Sequence, residues 1–382
     1  MDISFKFDPE VLIGENTLSM AGTIASRYGK RIMIAADSRL DQQLIGRLKE
    51  VLEDSALSAI VFAGLDDGSS VDMAEKIVDL SNASHCDLII GFGGEKTQII
   101  ARMAAIIAPS KTSVFDLLEG KNIPDKFLPF LAIPTEGLNV FSATDFFLAA
   151  DPRNKLIKSI PSPKGLYASI ILDSSLFKIL SENNAAAFAF VMEGFFSAVE
   201  AYCSSKASFI SDAVLERALN FYARLLKNGS GGMNAETFAQ AGFLTALGSA
   251  ASCPGVGTAL AAAINARCSI PKPLCSTALF PALAERLAAA RPEKMARVAS
   301  YLGNAKAAST AEAAASAAEG IQRIMTSLSL KTNLSEYNIP LDRLTAAAEA
   351  ARGLDLTANS PWTVSEEEVF TILKQILQNA AI

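Results

Sequence analysis

Histidine and cysteine, the side chains that most often hold transition metals, are scarce in this sequence. His85 is the only histidine, which excludes a metal site built from a cluster of imidazoles. The cysteines are odd in number and include no CxxC pair, which argues against a disulfide framework and a structural zinc ribbon. We expect them to be small buried thiols and His85 to be an ordinary loop residue. The five cysteines are Cys86, Cys203, Cys253, Cys268 and Cys275.

Three glycines in the segment DLIIGFGGEKTQIIAR could let a phosphate approach the backbone closely. Gly91, Gly93 and Gly94 lie between an expected strand and an expected helix. The N–H groups and the dipole at a helix N-terminus bind anions, so the turn is compatible with a nucleotide site. Glycines at such turns also serve backbone geometry alone, and the turn by itself leaves both interpretations open.

The elements around this turn predict an α/β domain with a parallel sheet. Strand-like apolar segments alternate with segments of helical spacing, which is typical of this class. The expected strands cover residues 31–37, 59–64, 87–91 and 130–134. Residues 135–172 carry proline, glycine and short β-type runs, and we expect them to form irregular strands that bridge two domains.

The composition changes after residue 173, where strand signals nearly vanish and alanine becomes dominant. Alanine has the highest intrinsic helix propensity, so long helices are predicted for this half. The alanine-rich residues 306–318 are included, because apolar residues continue them at helical spacing. We therefore predict an α/β nucleotide-binding-type domain at residues 1–160 and an all-helical domain at residues 161–382.

Length, charge and hydropathy narrow the classes of partner. A chain of 382 residues is long enough for two domains. The net charge is −6, and Lys and Arg are scattered among acids, so the basic face of a nucleic-acid binder is missing. No apolar run approaches the length of a membrane span, and the first residues do not resemble a signal peptide. We expect a cytoplasmic protein that binds neither nucleic acid nor membrane.

Several segments follow the glycine turn in a characteristic order. They are FLAIPTEG, YASIILDSSL, MEGFFSAVEAYCS, ARCSIPKPLCSTALFPALAE, LKTNLSEYNIPLDRLTAAAEAA and NSPWTVSEEEVFTIL. In order and spacing, nearly the whole chain resembles the iron-containing alcohol dehydrogenases, a superfamily that also includes glycerol dehydrogenase, maleylacetate reductase and dehydroquinate synthase. The resemblance implies a dehydroquinate synthase-like fold, in which a Rossmann-like domain precedes an all-α domain. It also implies a small-molecule substrate in the interdomain cleft, and it is compatible with a homodimer.

The resemblance assigns seven residues to a nicotinamide cofactor, NAD or NADP. The glycine turn matches the family's GGG[SK] phosphate loop, and PTEGLNVFS matches its PTTAGTGSE loop at the first two residues. Asp37 matches an acid that favours NAD by contacting the ribose, although a strand-end acid also caps the next turn. A lysine beside the cofactor phosphates matches Lys158, or Lys155 if the alignment slides. The seven candidates are Asp37, Gly93, Gly94, Lys96, Thr97, Thr135 and Lys158.

Both loops depart from the family pattern. Glu95 replaces the third glycine and puts an anion where a pyrophosphate would bind. Ile99 replaces an acid that normally follows the [SK] position, here Lys96, by three residues. Residues 136–142 of the second loop do not match either. Dinucleotide binding is therefore expected to be impaired.

The family's metal-ligand positions hold residues of other types in this chain. The family binds a divalent metal through an aspartate, a histidine four residues later on the same helix face, and two further histidines. The corresponding residues are Glu193, Ser197, Thr258 and Lys272. One carboxylate and two hydroxyls are a poor donor set for a divalent ion, so no metal is expected. Thiolates of Cys268 and Cys275 would bind zinc, but the lysine between them would repel it.

These replacements predict an ion pair in the interdomain cleft. Lys272 brings a positive charge to the position that the metal would occupy, and Glu193 becomes its counter-ion. Burial would otherwise leave Glu193 unpaired. Ser197 and Thr258 are expected to hydrogen-bond around the pair. In the alternative, Lys272 begins a helix after Pro271 and points to solvent.

Two functions remain open from the sequence. The first is an alcohol dehydrogenase-like, NAD(P)-dependent oxidoreductase without the usual metal, in which Lys272 polarises the substrate carbonyl. Glu193, Ser197 and Thr258 complete this candidate catalytic set. The second is a catalytically degenerate pseudoenzyme that serves as a binding or partner subunit, which the loss of family residues at three sites favours. A lyase or synthase reaction on a phosphorylated substrate would need a metal and basic residues that the sequence lacks.

Overall fold

The computed structural model divides the chain into two compact units. The first unit contains residues 6–154 and 158–178, and the second contains residues 155–157 and 179–382. The first unit carries the glycine turn, and the second carries the residues at the family's metal positions. The described residues are residue 7 and residues 9–121, 124–181, 185–229, 233–304, 307–331 and 333–378.

A six-stranded parallel sheet organises the first unit, as the alternation of elements predicted. Its strand order is β1-β8-β5-β4-β2-β3, and all neighbouring strands are parallel. β4 and β5 are buried at every residue, which is typical of strands covered on both faces. The strands are β1 Glu10–Gly14, β2 Arg31–Asp37, β3 Ser58–Leu65, β4 Leu88–Gly93, β5 Phe130–Pro134, β6 Phe146–Ala150, β7 Ile157–Pro161 and β8 Tyr167–Asp173.

β8 moves the domain boundary away from the expected residue 160. We expected residues 135–172 to form irregular strands between the domains. Instead, β8 pairs with β1 and β5 inside the main sheet, while β6 and β7 form a separate two-stranded sheet. The chain divides after Lys178, because the backbone hydrogen bonds and buried side chains of β8 belong to the first unit.

The helices of the first unit follow the strands that they connect. α4 begins directly after β4, with Gly94 as its N-cap, so the glycine turn joins a strand to a helix as predicted. α2 begins after the capping residue Asp41 and buries Ile45, Leu48 and Leu52 in the same core as β2 and β4. The helices are α1 Ala21–Ala25, α2 Gln42–Glu53, α3 Met73–Ala83, α4 Glu95–Ile107 and α5 Val114–Leu118.

Helices build the second unit, as predicted for the alanine-rich half. Small residues let them approach closely: a Cβ on Gly248 of α9 would overlap Leu215 of α8. The segment at residues 306–318 is helical from Thr310, and Lys306 lies outside the described residues. The helices are α6 Lys178–Ser181, α7 Ala185–Cys203, α8 Phe209–Asn228, α9 Ala235–Ser252, α10 Val256–Cys268, α11 Lys272–Ala290, α12 Pro292–Tyr301, α13 Thr310–Ser327, α14 Leu341–Arg352 and α15 Glu366–Gln378.

α7 is long and apolar enough to meet the criteria for a membrane span, which the sequence analysis did not expect. However, 78% of its apolar segment is buried inside the structure. α9 and α10 meet the same criteria as a pair, with a bend of 112° between them. Length and apolarity are also typical of a helix in a protein core, and the burial of α7 fits that role.

Candidate active site

Glu193 and Lys272 form the ion pair that the sequence predicted. Glu193 lies in the middle of α7, and Lys272 is the first residue of α11, directly after the N-cap Pro271. Lys272 Nζ lies 3.0 Å from Glu193 Oε1, and the two side chains are only 12% and 14% exposed. Lys272 therefore does not extend into solvent, and the alternative placement is wrong.

Thr258 hydrogen-bonds to Glu200 and not around the ion pair, which corrects the prediction for this residue. Its backbone N–H and its hydroxyl both donate to Glu200 Oε2, each at 2.7 Å. The reason is that Thr258 lies in the first turn of α10, where N–H groups need an acceptor and Glu200 supplies one. Ser197 is buried one turn after Glu193 on α7, and its hydrogen bond to the pair stays a prediction.

Glu200 caps α10, a contact that the sequence analysis did not predict. Gly257 N also donates to it, 2.7 Å from Oε1, while the N-cap Gly255 has no side chain that could accept. Burial raises the pKa of Glu200, and the hydrogen bonds from Thr258, Gly257 and Gly255 oppose that rise. The signal in the sequence was a helix start, Gly-Val-Gly-Thr, without a capping side chain of its own.

We expect replacement of Glu200 by alanine to lower the free energy of unfolding by about 3 kcal/mol, because α10 loses its cap and buried donors lose their acceptor. Glu200→Gln should cost less, since the amide keeps one acceptor oxygen. Denaturant unfolding followed by circular dichroism measures both. Glu293→Gln, at an exposed glutamate in the first turn of α12, is the control and should change stability by less than about 0.5 kcal/mol. An alanine variant as stable as this control would contradict the capping role.

The donor set at the family's metal positions does not fit a divalent metal. The ammonium of Lys272 contacts the carboxylate of Glu193, and the hydroxyl of Thr258 is donated to another residue. Within the described ranges, no group of three or more His, Cys, Asp or Glu residues converges on a metal position. Cys275 does not help, because burial raises the pKa of its thiol. The chemistry available here is therefore that of a buried ammonium and its counter-ion.

The glycine turn of the first unit brings the N-terminus of α4 to the end of β4. Gly93 has a φ of 152°, and a Cβ there would overlap Asp37 and crowd Thr97, so glycine is required. Gly94 is the N-cap of α4, and because glycine has no side chain, it does not cap the first N–H groups of the helix. Backbone N–H groups at such a helix start are the usual ligands of a phosphate. The geometry of the turn thus fits a nucleotide phosphate.

Glu136 lies against this turn and changes its electrostatics. A Cβ on Gly94 would overlap the Glu136 carboxylate, and Arg39 Nη2 lies 3.2 Å from Glu136 Oε1. Burial raises the pKa of Glu136 to about 7. The negative charges of Asp67, Asp37 and Glu95 add to this rise, whereas the positive charge of Arg39 opposes it. The sequence analysis did not single out Glu136, although it is the first residue of PTEGLNVFS that departs from the family pattern. A phosphate at the start of α4 would meet this carboxylate.

Asp37 is held by Arg39. Arg39 Nε and Nη2 lie 3.0 Å and 2.7 Å from the two Asp37 carboxylate oxygens, and Arg39 N donates to the same carboxylate. Burial acts to raise the pKa of Asp37, but the hydrogen bonds and charge of Arg39 outweigh it and hold that pKa below its usual range. The Asp37 side chain is 3% exposed. Asp37 therefore caps the turn after β2, and a ribose could reach it only after Arg39 moves.

The structure shows contacts with the turn for Thr97 and Thr135 among the other candidate cofactor residues. Thr135 N donates to Gly93 O at 3.2 Å, which joins the end of β5 to the turn. Thr97 is fully buried against Gly93, and Lys96 is half-buried in the first turn of α4. Lys158 lies on β7 in the separate two-stranded sheet. The structure thus brings the glycine turn, Asp37, Thr97 and Thr135 together.

The histidine and cysteine predictions are largely confirmed. His85 is exposed in the turn after α3, with a φ of 51°. All five cysteines are free and four are buried, whereas Cys268 is half-buried. None of these residues belongs to the site around Glu193 and Lys272 except Cys275, whose thiol lies near that pair.

A nucleotide-binding-type domain followed by a helical domain is the architecture of the alcohol dehydrogenase-like oxidoreductases, and the family models agree with it. Residues 8–174 match the family model for iron-containing alcohol dehydrogenase, and residues 189–377 match the model for the C-terminal domain of the Fe-containing alcohol dehydrogenase family. The chain belongs to the iron-containing alcohol dehydrogenase family.

Relatives in this family share the full length of the chain at low identity. A sulfoacetaldehyde reductase of Bilophila wadsworthia (strain 3_1_6) is 24% identical over 363 residues, 93% of each chain, and a 1,3-propanediol dehydrogenase of Citrobacter freundii is 23% identical over 371 residues, 95% of each. A solved 1,3-propanediol oxidoreductase superposes with a TM-score of 0.89 at 21% identity, covering 98% of this chain and all of the other. A sulfoacetaldehyde reductase from Bifidobacterium kashiwanohense, solved in complex with NAD+, has a TM-score of 0.82 at 18% identity and covers 99% of each. These likenesses agree on the fold.

Proposed function

We propose that the protein is an NAD(P)-dependent oxidoreductase that interconverts a small alcohol and its carbonyl compound without a bound metal. The observation that carries this proposal is the ammonium of Lys272, held 3.0 Å from Glu193 at the family's metal-ligand positions. A cation at this position supplies the charge that a metal would supply. The small carbonyl substrate is proposed to bind beside Lys272.

The chemistry follows from where charge develops during carbonyl reduction. The nicotinamide, when bound, supplies the hydride. The carbonyl oxygen gains negative charge as the carbon is reduced, and a positioned ammonium stabilises that charge in a site of low exposure. Lys272 can also donate the proton that converts the oxygen to a hydroxyl. Glu193 holds the ammonium in place as its counter-ion.

The cofactor assignment rests on the glycine turn and on the relatives. Gly93 and Gly94 join a buried strand to α4 in the geometry that binds phosphates. A structural neighbour of the same fold was solved with NAD+. The choice between NAD and NADP depends on Asp37 and Arg39, because an acid favours a free ribose hydroxyl whereas an arginine accommodates a ribose phosphate. We propose a nicotinamide dinucleotide as cofactor and expect Arg39 to influence which one binds.

Turnover assays test this proposal. We expect carbonyl reduction by NADH or NADPH to survive a chelator and Lys272→Met to lower kcat about a hundredfold, because the variant loses the charge that stabilises the developing alkoxide. Lys206→Met, which removes an exposed lysine of the same unit, is the control and should leave kcat unchanged. Stoichiometric iron or zinc in the purified protein, with turnover lost on chelation, would refute the metal-free proposal.

Two contacts in the first unit favour a second function, that of a non-catalytic binding or partner subunit. Glu136 lies against Gly94, and Arg39 donates a hydrogen bond to the carboxylate of Asp37. Both contacts oppose binding of a dinucleotide. Thermal unfolding with NAD(H) and NADP(H) separates the two functions. An oxidoreductase is stabilised by at least one of them, whereas a chain that none of them stabilises has lost its cofactor and with it this reaction.

A further inference from the structure

The outer edge of β3 pairs with no other strand in the part of the chain that the structure describes. β3 lies at one end of the six-stranded sheet, and its partner there is β2 alone. An unpaired edge presents a row of backbone N–H and C=O groups to which another strand can add. Ser58, Ile60, Ala63 and Gly64 of this strand are exposed. Among the described residues, the edge is therefore open to a strand from another molecule.

β3 lacks most of the features that protect edge strands in soluble proteins. Such strands usually carry charges or proline, or they are twisted by a bulge. Residues 55–65 contain neither a charged residue nor a proline. The register with β2 shifts only after Phe62, so residues 58–62 form a regular edge. By contrast β1, at the other end of the sheet, begins with Glu10, which forms an exposed ion pair with Arg27.

A hydrogen bond at the start of β3 fixes which backbone groups point outward. Ser58 N donates to Lys30 O at 2.9 Å, so the backbone of Ser58 is directed towards β2. This direction alternates from one residue to the next along a strand. Ala59 and Val61 therefore direct their N–H and C=O groups towards the open edge.

The side chains of this edge alternate between the two faces of the sheet. Ala59 and Val61 pack against the core that α2 covers. Ile60 and Phe62 consequently lie on the opposite face. Ile60 is 36% exposed, so an apolar side chain at the centre of the regular edge remains in contact with water.

A second copy of the chain fits this edge if the two strands run antiparallel about a twofold axis at Ile60. Ala59 then lies opposite the partner's Val61 in both halves of the pairing, and these outward-pointing residues exchange backbone hydrogen bonds. Ile60 lies opposite the partner's Ile60 in a non-hydrogen-bonded pair, in which side chains pack closely. One axis thus satisfies the backbone groups and covers the exposed apolar side chain.

The charges at the two ends of the strand favour the antiparallel arrangement. A parallel arrangement would set Asp66 and Asp67, which follow β3, against the same acids of the partner. The antiparallel arrangement brings them instead to the end of the partner's sheet where exposed residues carry both signs of charge. These residues are Lys30, Arg31, Glu53 and Asp54.

We propose that the edge of β3 is a self-association surface, at which two copies of the chain join their sheets through antiparallel residues 58–62 with Ile60 on the twofold axis. The pairing is short, so we expect a reversible dimer with a Kd of roughly 10–100 µM. The surface belongs to the first unit, and it does not depend on the function proposed above.

Sedimentation velocity of the full chain at micromolar to millimolar concentrations tests the association. The weight-average mass of the wild type should rise with concentration. Ile60→Lys sets two ammonium groups against each other and should weaken association about tenfold or more, whereas Ile60→Val should retain it. Phe370→Lys, at a side chain of α15 that is 42% exposed, is the control and should associate like the wild type. A wild-type mass that does not change with concentration, or equal association of wild type and Ile60→Lys, would overturn the proposal.

A cysteine at the axis tests the register and does not rely on the lysine variant. In Ile60→Cys the two thiols would lie across a non-hydrogen-bonded pair, where a disulfide can form. Mild oxidation should therefore link two copies covalently. Phe370→Cys and the wild type, whose own cysteines are free, are the controls and should stay unlinked. No linked dimer of Ile60→Cys, or linking no faster than that of Phe370→Cys, would refute the arrangement.

Discussion

Replacing Lys272 by methionine is expected to lower the free energy of unfolding by about 3–5 kcal/mol, because the carboxylate of Glu193 would remain buried without its counter-ion. The two side chains are 12% and 14% exposed, so solvent cannot take over the role of the ammonium. Glu193→Leu should be costly for the same reason. Denaturant unfolding of each variant measures both effects.

The double variant separates the ion pair from the packing of the two side chains. Glu193→Leu combined with Lys272→Met should recover most of the loss, because a buried pair replaced by apolar residues leaves no uncompensated charge. Arg352→Met and Glu366→Leu are the matched control pair, since their side chains are 37% and 78% exposed. Their coupling should be no more than about 1 kcal/mol. A coupling as small as this between Glu193 and Lys272 would contradict a buried pair.

Glu136→Gln is expected to strengthen dinucleotide binding about tenfold at pH 8, because it removes a negative charge from the start of α4. Burial raises the pKa of Glu136 to about 7, so the wild-type carboxyl is neutral below that pH and charged above it. Affinity for NADH, and for ADP as a pyrophosphate probe, should therefore fall as the pH rises through 7 in the wild type. Glu136→Gln should lack this pH dependence of the affinity.

The ionisation of Glu136 should also make the free energy of unfolding depend on pH, and the raised pKa fixes the sign of that dependence. The folded protein holds the Glu136 proton up to about pH 7, whereas an unperturbed glutamic acid loses it near 4.5. The folded state then binds more protons, so the free energy of unfolding falls as the pH rises between these values. Thermal unfolding of wild type and Glu136→Gln from pH 5 to 8 measures the difference, with exposed Glu53→Gln as control. Parallel curves for the wild type and Glu136→Gln would show that Glu136 does not titrate in this range.

The parallel sheet and the helical half were predictable because their signals are local. β2 and β5 are short apolar runs bounded by polar or turn residues, and the alanine-rich half carries helical spacing throughout. β8 was misplaced, because a strand's position in a sheet depends on partners far away in sequence. It pairs with β1, about 160 residues earlier in the chain.

The sequence by itself determined which residue types stand at the family's metal and phosphate positions, and that was enough to predict the pairing of Glu193 with Lys272. Two opposite charges at low exposure have few other ways to be compensated. Only the tertiary structure decided that Thr258 donates to Glu200, because Glu200 lies on α7 and Thr258 at the start of α10. It also decided that the carboxylate of Glu136 lies against Gly94. Each of these depends on side chains that are distant in sequence and are brought together by packing, which residue spacing cannot encode.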